Sequence, residues 1–273
     1  MKKLPIAVVS PHGGLAVPPE LKERVALTEA QIFNEADAYV DDLFDFRDRV
    51  LHWTAFPYAR AVIDVNRPPD VAKLPRPGDG VIKVQSSYGD PVFKPGMQPD
   101  AALEAELLAR YFEPWHDQLA AIAADERVKL VIDAHSMAAY GPMLYGDPDN
   151  PRPRVMVGNM GTKDGRIRPD RGRLSAPFPL AMQLVKLLAD RLADVEPIVA
   201  VGEETAVNNP FCGGWNLWAH GGIRQPWLMI EISRALYVGR QSGSSPIVPP
   251  DPVRNVAIRD YIWVAIEQLV AEL

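Results

Sequence analysis

The chain has 273 residues, 47% hydrophobic and 23% charged, the composition of a soluble protein with a sizeable core and not of a disordered or fibrous chain. Its 29 basic and 35 acidic side chains leave a net charge of −6, which makes a phosphate backbone a poor partner. One cysteine, Cys212, excludes an internal disulfide and a cysteine-built metal cage, and no run of about 18 apolar residues marks a membrane span, so a cytoplasmic protein is expected.

Taken in chain order, Lys2 and Lys3 precede an apolar run that stops short of the roughly 7–15 residues of a signal core, so Ile6–Val9 reads as the first strand. Further strands are expected at Ala61–Val65, Leu130–Ala134, Val155–Gly158, Ile198–Val201 and Leu228–Ile232, because short unbroken apolar runs suit strands covered on both faces. Apolar residues three and four apart predict helices from Glu35 to about Val50, Ala101 to Ala124, Phe178 to Asp194 and Val253 to Leu273. Pro114 lies inside the second of these and predicts a kink or two shorter helices meeting there. Three stretches rich in proline, glycine and polar residues, Arg67–Gly96, Gly146–Pro177 and Gly239–Pro252, are expected to wall a ligand site. The alternation implies one α/β domain over residues 1–273 with a mainly parallel sheet, its chemistry at the carboxyl ends of the strands.

Several such ends are polar. The first strand runs into Ser10-Pro11-His12-Gly13-Gly14, and the third ends in Asp133-Ala134-His135-Ser136, where alternation puts Asp133 and His135 on one face. Only five histidines occur, and two of them end apolar strands; a neighbouring carboxylate fixes an imidazole tautomer, as metal-bound histidines require. Catalytic zinc takes three nitrogen or oxygen ligands and keeps a fourth position for water, so a carboxylate is wanted. The segment from Asn34 to Phe44 offers several. Asp37 shares a helical stripe with Val40 and Phe44, whereas Glu35 aligns with Tyr39 and Asp42; this favours Asp37 and leaves Glu35 open. Glu231, set among large apolar residues of the last strand, is either a general base whose pKa burial raises or half of a salt bridge to Arg234. Asn66 and Arg67 follow the second expected strand; Arg67, like Arg234, suits a substrate carboxylate or a plain solvated role.

Five strings in this order resemble the N-formylglutamate amidohydrolase family: Ser10-Pro11-His12-Gly13-Gly14, Asp37 through Leu43, Asp64-Val65-Asn66-Arg67, Asp133-Ala134-His135-Ser136, and Glu231-Ile232-Ser233-Arg234-Ala235-Leu236-Tyr237. Asn208 through Trp215 resembles a further family loop that brings Gly213 and Gly214 near the substrate. The sequence departs from the family pattern at Gly14 and Asn159. The family is in turn similar to the zinc carboxypeptidases and to the succinylglutamate desuccinylase and aspartoacylase group. That resemblance implies a three-layer α/β fold with a mixed, mainly parallel sheet flanked by helices. It implies Zn2+ on His12, Asp37 and His135, Glu231 as general acid/base, and Asn66, Arg67, Ser136, Gly213, Gly214 and Arg234 around a small N-acyl amino acid, most directly N-formyl-L-glutamate. Two other readings stand beside it. One is a binding protein that has lost its chemistry. The other is a serine hydrolase using Ser136, disfavoured because no G-x-S-x-G elbow is present and because His135 and Ser136 point to opposite faces of a strand.

Overall fold

A computed structural model describes residues 3–74 and 76–273. Six strands form one sheet: β1 (Leu4–Ser10), β2 (Val50–Ala55), β3 (Leu130–Met137), β4 (Val155–Gly158), β5 (Thr205–Val207) and β6 (Trp227–Ser233), in the order β2-β1-β3-β6-β4-β5. All pairings are parallel except β4 with β6, so the sheet is mixed and mainly parallel. β3 and β6 are buried along their whole length, which is why their sequences run apolar without alternating.

Alternation divides these strands between two cores. Leu130, Ile132 and Ala134 of β3 join Leu228, Ile230 and Ile232 of β6 on one face, beneath α2 (Val40–Leu43), α5 (Phe178–Leu192) and α7 (Pro252–Ala271). Val131, Trp227 and Met229 belong to the opposite core, with residues of α3 (Ala101–Leu107), α4 (Glu113–Ala124) and α6 (Trp215–His220). Asp133, His135 and Glu231 share that second face, and the register pairs His135 with Glu231. Helices thus cover both faces of the sheet, as a three-layer α/β architecture requires.

Several elements differ from the sequence reading. The helix expected from Glu35 to Val50 is instead two short pieces, α1 (Glu29–Glu35) and α2, followed by β2. Thr28 and Gln31 form a reciprocal capping box that starts α1 early, Ala36 is extended, and Tyr39 has φ 59°, so the chain breaks at Asp37. Ala61–Val65 is no strand: Val62 and Ile63 both donate to the Ala59 carbonyl in a turn. These residues are buried, so the apolar run reported burial and not conformation. Ile198–Val201 is also irregular, with Ile198 exposed, and the edge strand is β5, beginning at Thr205. Between α3 and α4 the backbone forms a π turn over Leu108–Phe112, and Pro114 sits in the first turn of α4, where a missing N–H costs little. The helix therefore divides as Pro114 predicts. Among the described residues no helix is long and apolar enough to cross a membrane.

Candidate functional site

His12 stands one residue past Pro11 at the end of β1, His135 near the end of β3, and Asp37 in the break between α1 and α2. The Asp37 N–H donates to the His12 carbonyl at 3.1 Å, tying the break to the strand end. The carboxylate then meets both rings: Asp37 Oδ2 lies 3.0 Å from His135 Nδ1 and 3.7 Å from His12 Nδ1, and it accepts from the Ser136 N–H at 3.0 Å. One donor atom from each of the three residues lies within 4.8 Å of the other two, and all three residues are buried. Glu35 is elsewhere engaged, its carboxylate accepting from the Ser87 N–H and hydroxyl. Of the two carboxylates the sequence left open, Asp37 is the one that joins the histidines.

Each imidazole has a second carboxylate behind it. His12 Nε2 is 2.8 Å from Asp64 Oδ1, and His135 Nε2 is 3.3 Å from Asp133 Oδ2. With Asp64 and Asp133 on the Nε2 sides, both Nδ1 atoms point toward Asp37, an arrangement that suits metal ligation once a cation takes the place of a ring proton. Among the described residues the buried His12 Nδ1 has no hydrogen-bond partner. Burial, joined by the Arg60 charge, pushes His12 down toward the neutral form that ligates a metal. Burial also opposes a charge on His135, but Asp133, Asp37 and Glu231 together hold its pKa well above the usual histidine range. The carboxylates thus favour positive charge at the point where the three donors meet, and the donor set fits a divalent cation.

Arg60 was not singled out by the sequence. Its guanidinium spans Asp37 Oδ1 at 3.3 Å and Asp64 Oδ2 at 3.2 Å, fixing the two carboxylates together. Asp64 is further surrounded by Lys83 at 3.2 Å and Arg67 at 3.8 Å, and these cations hold it well below the ordinary carboxylate range despite its burial. Buried Lys83 also lies 3.4 Å from Asp79. Asp64 had a signal, because it opens the Asp64-Val65-Asn66-Arg67 string. Arg60 and Lys83 had none, since each reaches the site by packing alone.

The other expected site residues all line one cavity of about 440 Å3, together with the three donors and Glu231. Asn66 is spent on architecture: its Oδ1 accepts from the Asn216 N–H at 2.8 Å and its Nδ2 is 3.3 Å from His135 Nε2. Gly214 makes this possible, because a Cβ there would fall 2.4 Å from the Asn66 side chain. Gly213 has φ 137°, which favours glycine. Ser136 contributes its N–H to Asp37, and among the described residues its buried hydroxyl has no hydrogen-bond partner. Arg67 Nε faces Asp79 at 3.2 Å. Arg234 Nη1 donates to the carbonyls of Asn34 and Ala36 and to Gln241 Oε1, and no salt bridge joins Arg234 to Glu231 among the described residues. Burial raises Glu231 to about 7, with the His135 charge opposing the rise.

Two of the three long stretches contribute the remaining wall, whereas no described residue of Gly239–Pro252 lines the cavity. Lys73, Arg76 and Tyr88 come from the first, and Arg152, Arg168 and Arg171 from the second. With Arg60, Arg67 and Arg234 they surround the cavity with positive charge, a field that draws in and retains an anionic ligand.

The fold and this strand-end cluster define an α/β protein with a buried His-Asp-His group under a cation-lined cavity. The N-formylglutamate amidohydrolase family model matches residues 4–238, and the chain belongs to that family. It is 28% identical over 249 residues to an N-formylglutamate deformylase of Pseudomonas aeruginosa, covering 88% of this chain and 84% of that protein. It is 29% identical over 149 residues to another from Pseudomonas putida, covering 52% and 55%. The solved structure of an N-formylglutamate amidohydrolase from Ralstonia eutropha JMP134 has the same fold, with TM-score 0.69 at 21% identity, covering 98% of this chain and 94% of that one.

Proposed function

We propose that the protein hydrolyses the amide bond of a small N-acyl amino acid, with N-formyl-L-glutamate as the substrate and formate and glutamate as products. The observation that carries this reading is the convergence of His12, Asp37 and His135, donors from three distant parts of the chain, beside Glu231 and inside a cavity rich in guanidinium groups. Membership of the family and its likeness to the N-formylglutamate deformylases of Pseudomonas point the same way.

In this reading His12, Asp37 and His135 hold one divalent ion, Zn2+ by the nitrogen and oxygen character of the donors. When bound, the ion polarises the amide carbonyl and acidifies water. The protein's own groups do the rest. Glu231, raised by burial toward neutrality, accepts a proton from the attacking water and returns it to the leaving nitrogen as the C–N bond breaks. Asp64 and Asp133 keep the two imidazoles in the tautomer that presents Nδ1. The two imidazoles, joined by the Arg60 charge, keep Asp37 ionised against its burial. Arg67, Arg234 and their cationic neighbours receive the substrate's carboxylates, while Asn66, Ser136, Gly213 and Gly214 shape the floor on which the acyl group rests. One domain, residues 1–273, carries the whole site.

The test is a turnover screen of the zinc-reconstituted protein over N-formyl, N-acetyl and N-succinyl amino acids, with and without a chelator. N-formyl-L-glutamate should be cleaved fastest, and chelation should abolish turnover until zinc is restored. Turnover that survives complete removal of metal would instead favour a mechanism through Ser136.

A further inference from the structure

The Tyr88 hydroxyl is buried and has no hydrogen-bond partner among the described residues, and the same is true of Arg234 Nε. Both residues line the cavity. A buried donor left unpaired costs roughly 1–3 kcal/mol, so two in one wall call for an acceptor that arrives with the ligand.

Tyr88 is held with unusual care for a loop residue. Ser87, next to it, is fixed from three sides: its N–H and hydroxyl donate to Glu35, and its carbonyl accepts from the Leu144 N–H at 3.2 Å. On the other side Ser86 closes the turn, its Oγ accepting from the N–H groups of Tyr88 at 3.2 Å and Asp90 at 3.0 Å. The ring is backed by Gly243, where a Cβ would fall 3.0 Å from Tyr88 Cβ and 2.7 Å from Asp90 Oδ2. That backing loop is pinned in turn, because Gln241 bridges Arg234 Nη1 at 2.9 Å and Asn34 Oδ1 at 2.8 Å. Burial pushes the Tyr88 hydroxyl up, with the Arg234 charge opposing the rise, so it stays protonated and able to donate.

We propose that Tyr88 contacts substrate, its hydroxyl and Arg234 Nε forming a subsite for the side-chain carboxylate of the amino-acid part. The inference rests on the proposed hydrolysis of an acidic N-acyl amino acid and deepens it. The reacting end is flanked by Arg60 and Arg67, which touch Asp37 or Asp64, whereas among the described residues Tyr88 makes no hydrogen bond to His12, Asp37, His135 or the carboxylates behind the two rings. This leaves its hydroxyl free for the part of the ligand beyond the scissile amide. A neutral phenol beside a guanidinium recognises a carboxylate by hydrogen bonds to both oxygens.

The test compares kcat/KM for N-formyl-L-glutamate and N-formyl-L-alanine in the wild-type and Tyr88→Phe holoenzymes. The wild-type preference for the glutamate compound should fall by about tenfold or more, the scale of one hydrogen bond to a charged group. Gly243→Ala, which displaces the ring but keeps the hydroxyl, should lower the same preference. An unchanged preference in Tyr88→Phe, including equal losses on both substrates, overturns the assignment. Should the wild type cleave neither compound, the proposed hydrolysis fails, and calorimetric titration with glutarate decides the subsite alone. At least about tenfold weaker binding by Tyr88→Phe upholds it, and equal binding by the two proteins overturns it.

Discussion

His12 and Asp64, 52 residues apart in sequence, meet in the interior with Nε2 and Oδ1 2.8 Å apart, and neither has appreciable contact with solvent. Asp64 thereby chooses the tautomer of the ring whose other nitrogen faces Asp37. Asp64→Asn keeps the shape but can present its amide N–H to the ring, which disfavours the tautomer that ligates through Nδ1. Zinc affinity, measured by competition with a chromogenic chelator, should drop by about 10–100-fold. An affinity equal to wild type would remove Asp64 from the support of the centre.

Among the described residues Glu231 makes no salt bridge to Arg234, and burial raises its pKa to about 7, which suits the proposed proton transfer. Glu231→Gln should retain one zinc per chain by elemental analysis yet lose at least about 10²-fold in kcat on N-formyl-L-glutamate. Retained zinc with near-normal turnover would show that another group moves the proton.

His116 and His220 make a second histidine pair, away from the donors. His116 donates from Nε2 to the Val65 carbonyl at 2.9 Å, and its Nδ1 lies 3.0 Å from His220 Nε2, so with both rings neutral His116 accepts from His220. Burial, then His116 and Arg173, lower His220 to about 4. The unfolded chain, with a histidine pKa near 6.5, therefore binds more protons than the folded one between about pH 6.5 and 4. Stability contributed by neutral His220 is complete above that window and is lost as pH falls through it, by up to about 1.4 kcal/mol per pH unit. Denaturant titrations of His220→Gln should show a shallower fall than wild type across the window, and parallel curves would disprove the assignment.

Gly214 is the point of closest approach between the α6 end and Asn66. Gly214→Ala would drive its methyl group into the Asn66 amide and displace the oxygen that caps the Asn216 N–H. Overpacking of this kind costs about 1–3 kcal/mol, which a urea melt resolves. Unaltered stability would mean that Asn66 moves aside freely, and then that it does not position His135.

The central strands and the two histidines were legible in the sequence because β3 and β6 are buried on both faces, so apolar runs ending in Asp133-Ala134-His135 or holding Glu231 carry strand and site in the same few residues. Asp37 was reached through a helical stripe that does not exist. Asp37 does come together with the two histidines, but its position comes from a break that Tyr39 and Ala36 impose and not from a helix face. The buried turn at Ala61–Val65 shows the complementary error, since burial leaves the same apolar signature on a turn as on a strand. Arg60, Lys83 and Tyr88 left no local pattern at all. Their roles arise from contacts with residues as remote as Asp37, Asp64 and Gly243, which spacing within one element does not encode.

Because residues 12, 37 and 135 must all be in place before their side chains can meet, an ion gripped by them acts as a clasp across more than a hundred positions of chain. It would bind only the finished molecule, discriminate against any partly assembled form, and make thermal denaturation depend on free zinc in proportion to the logarithm of its concentration.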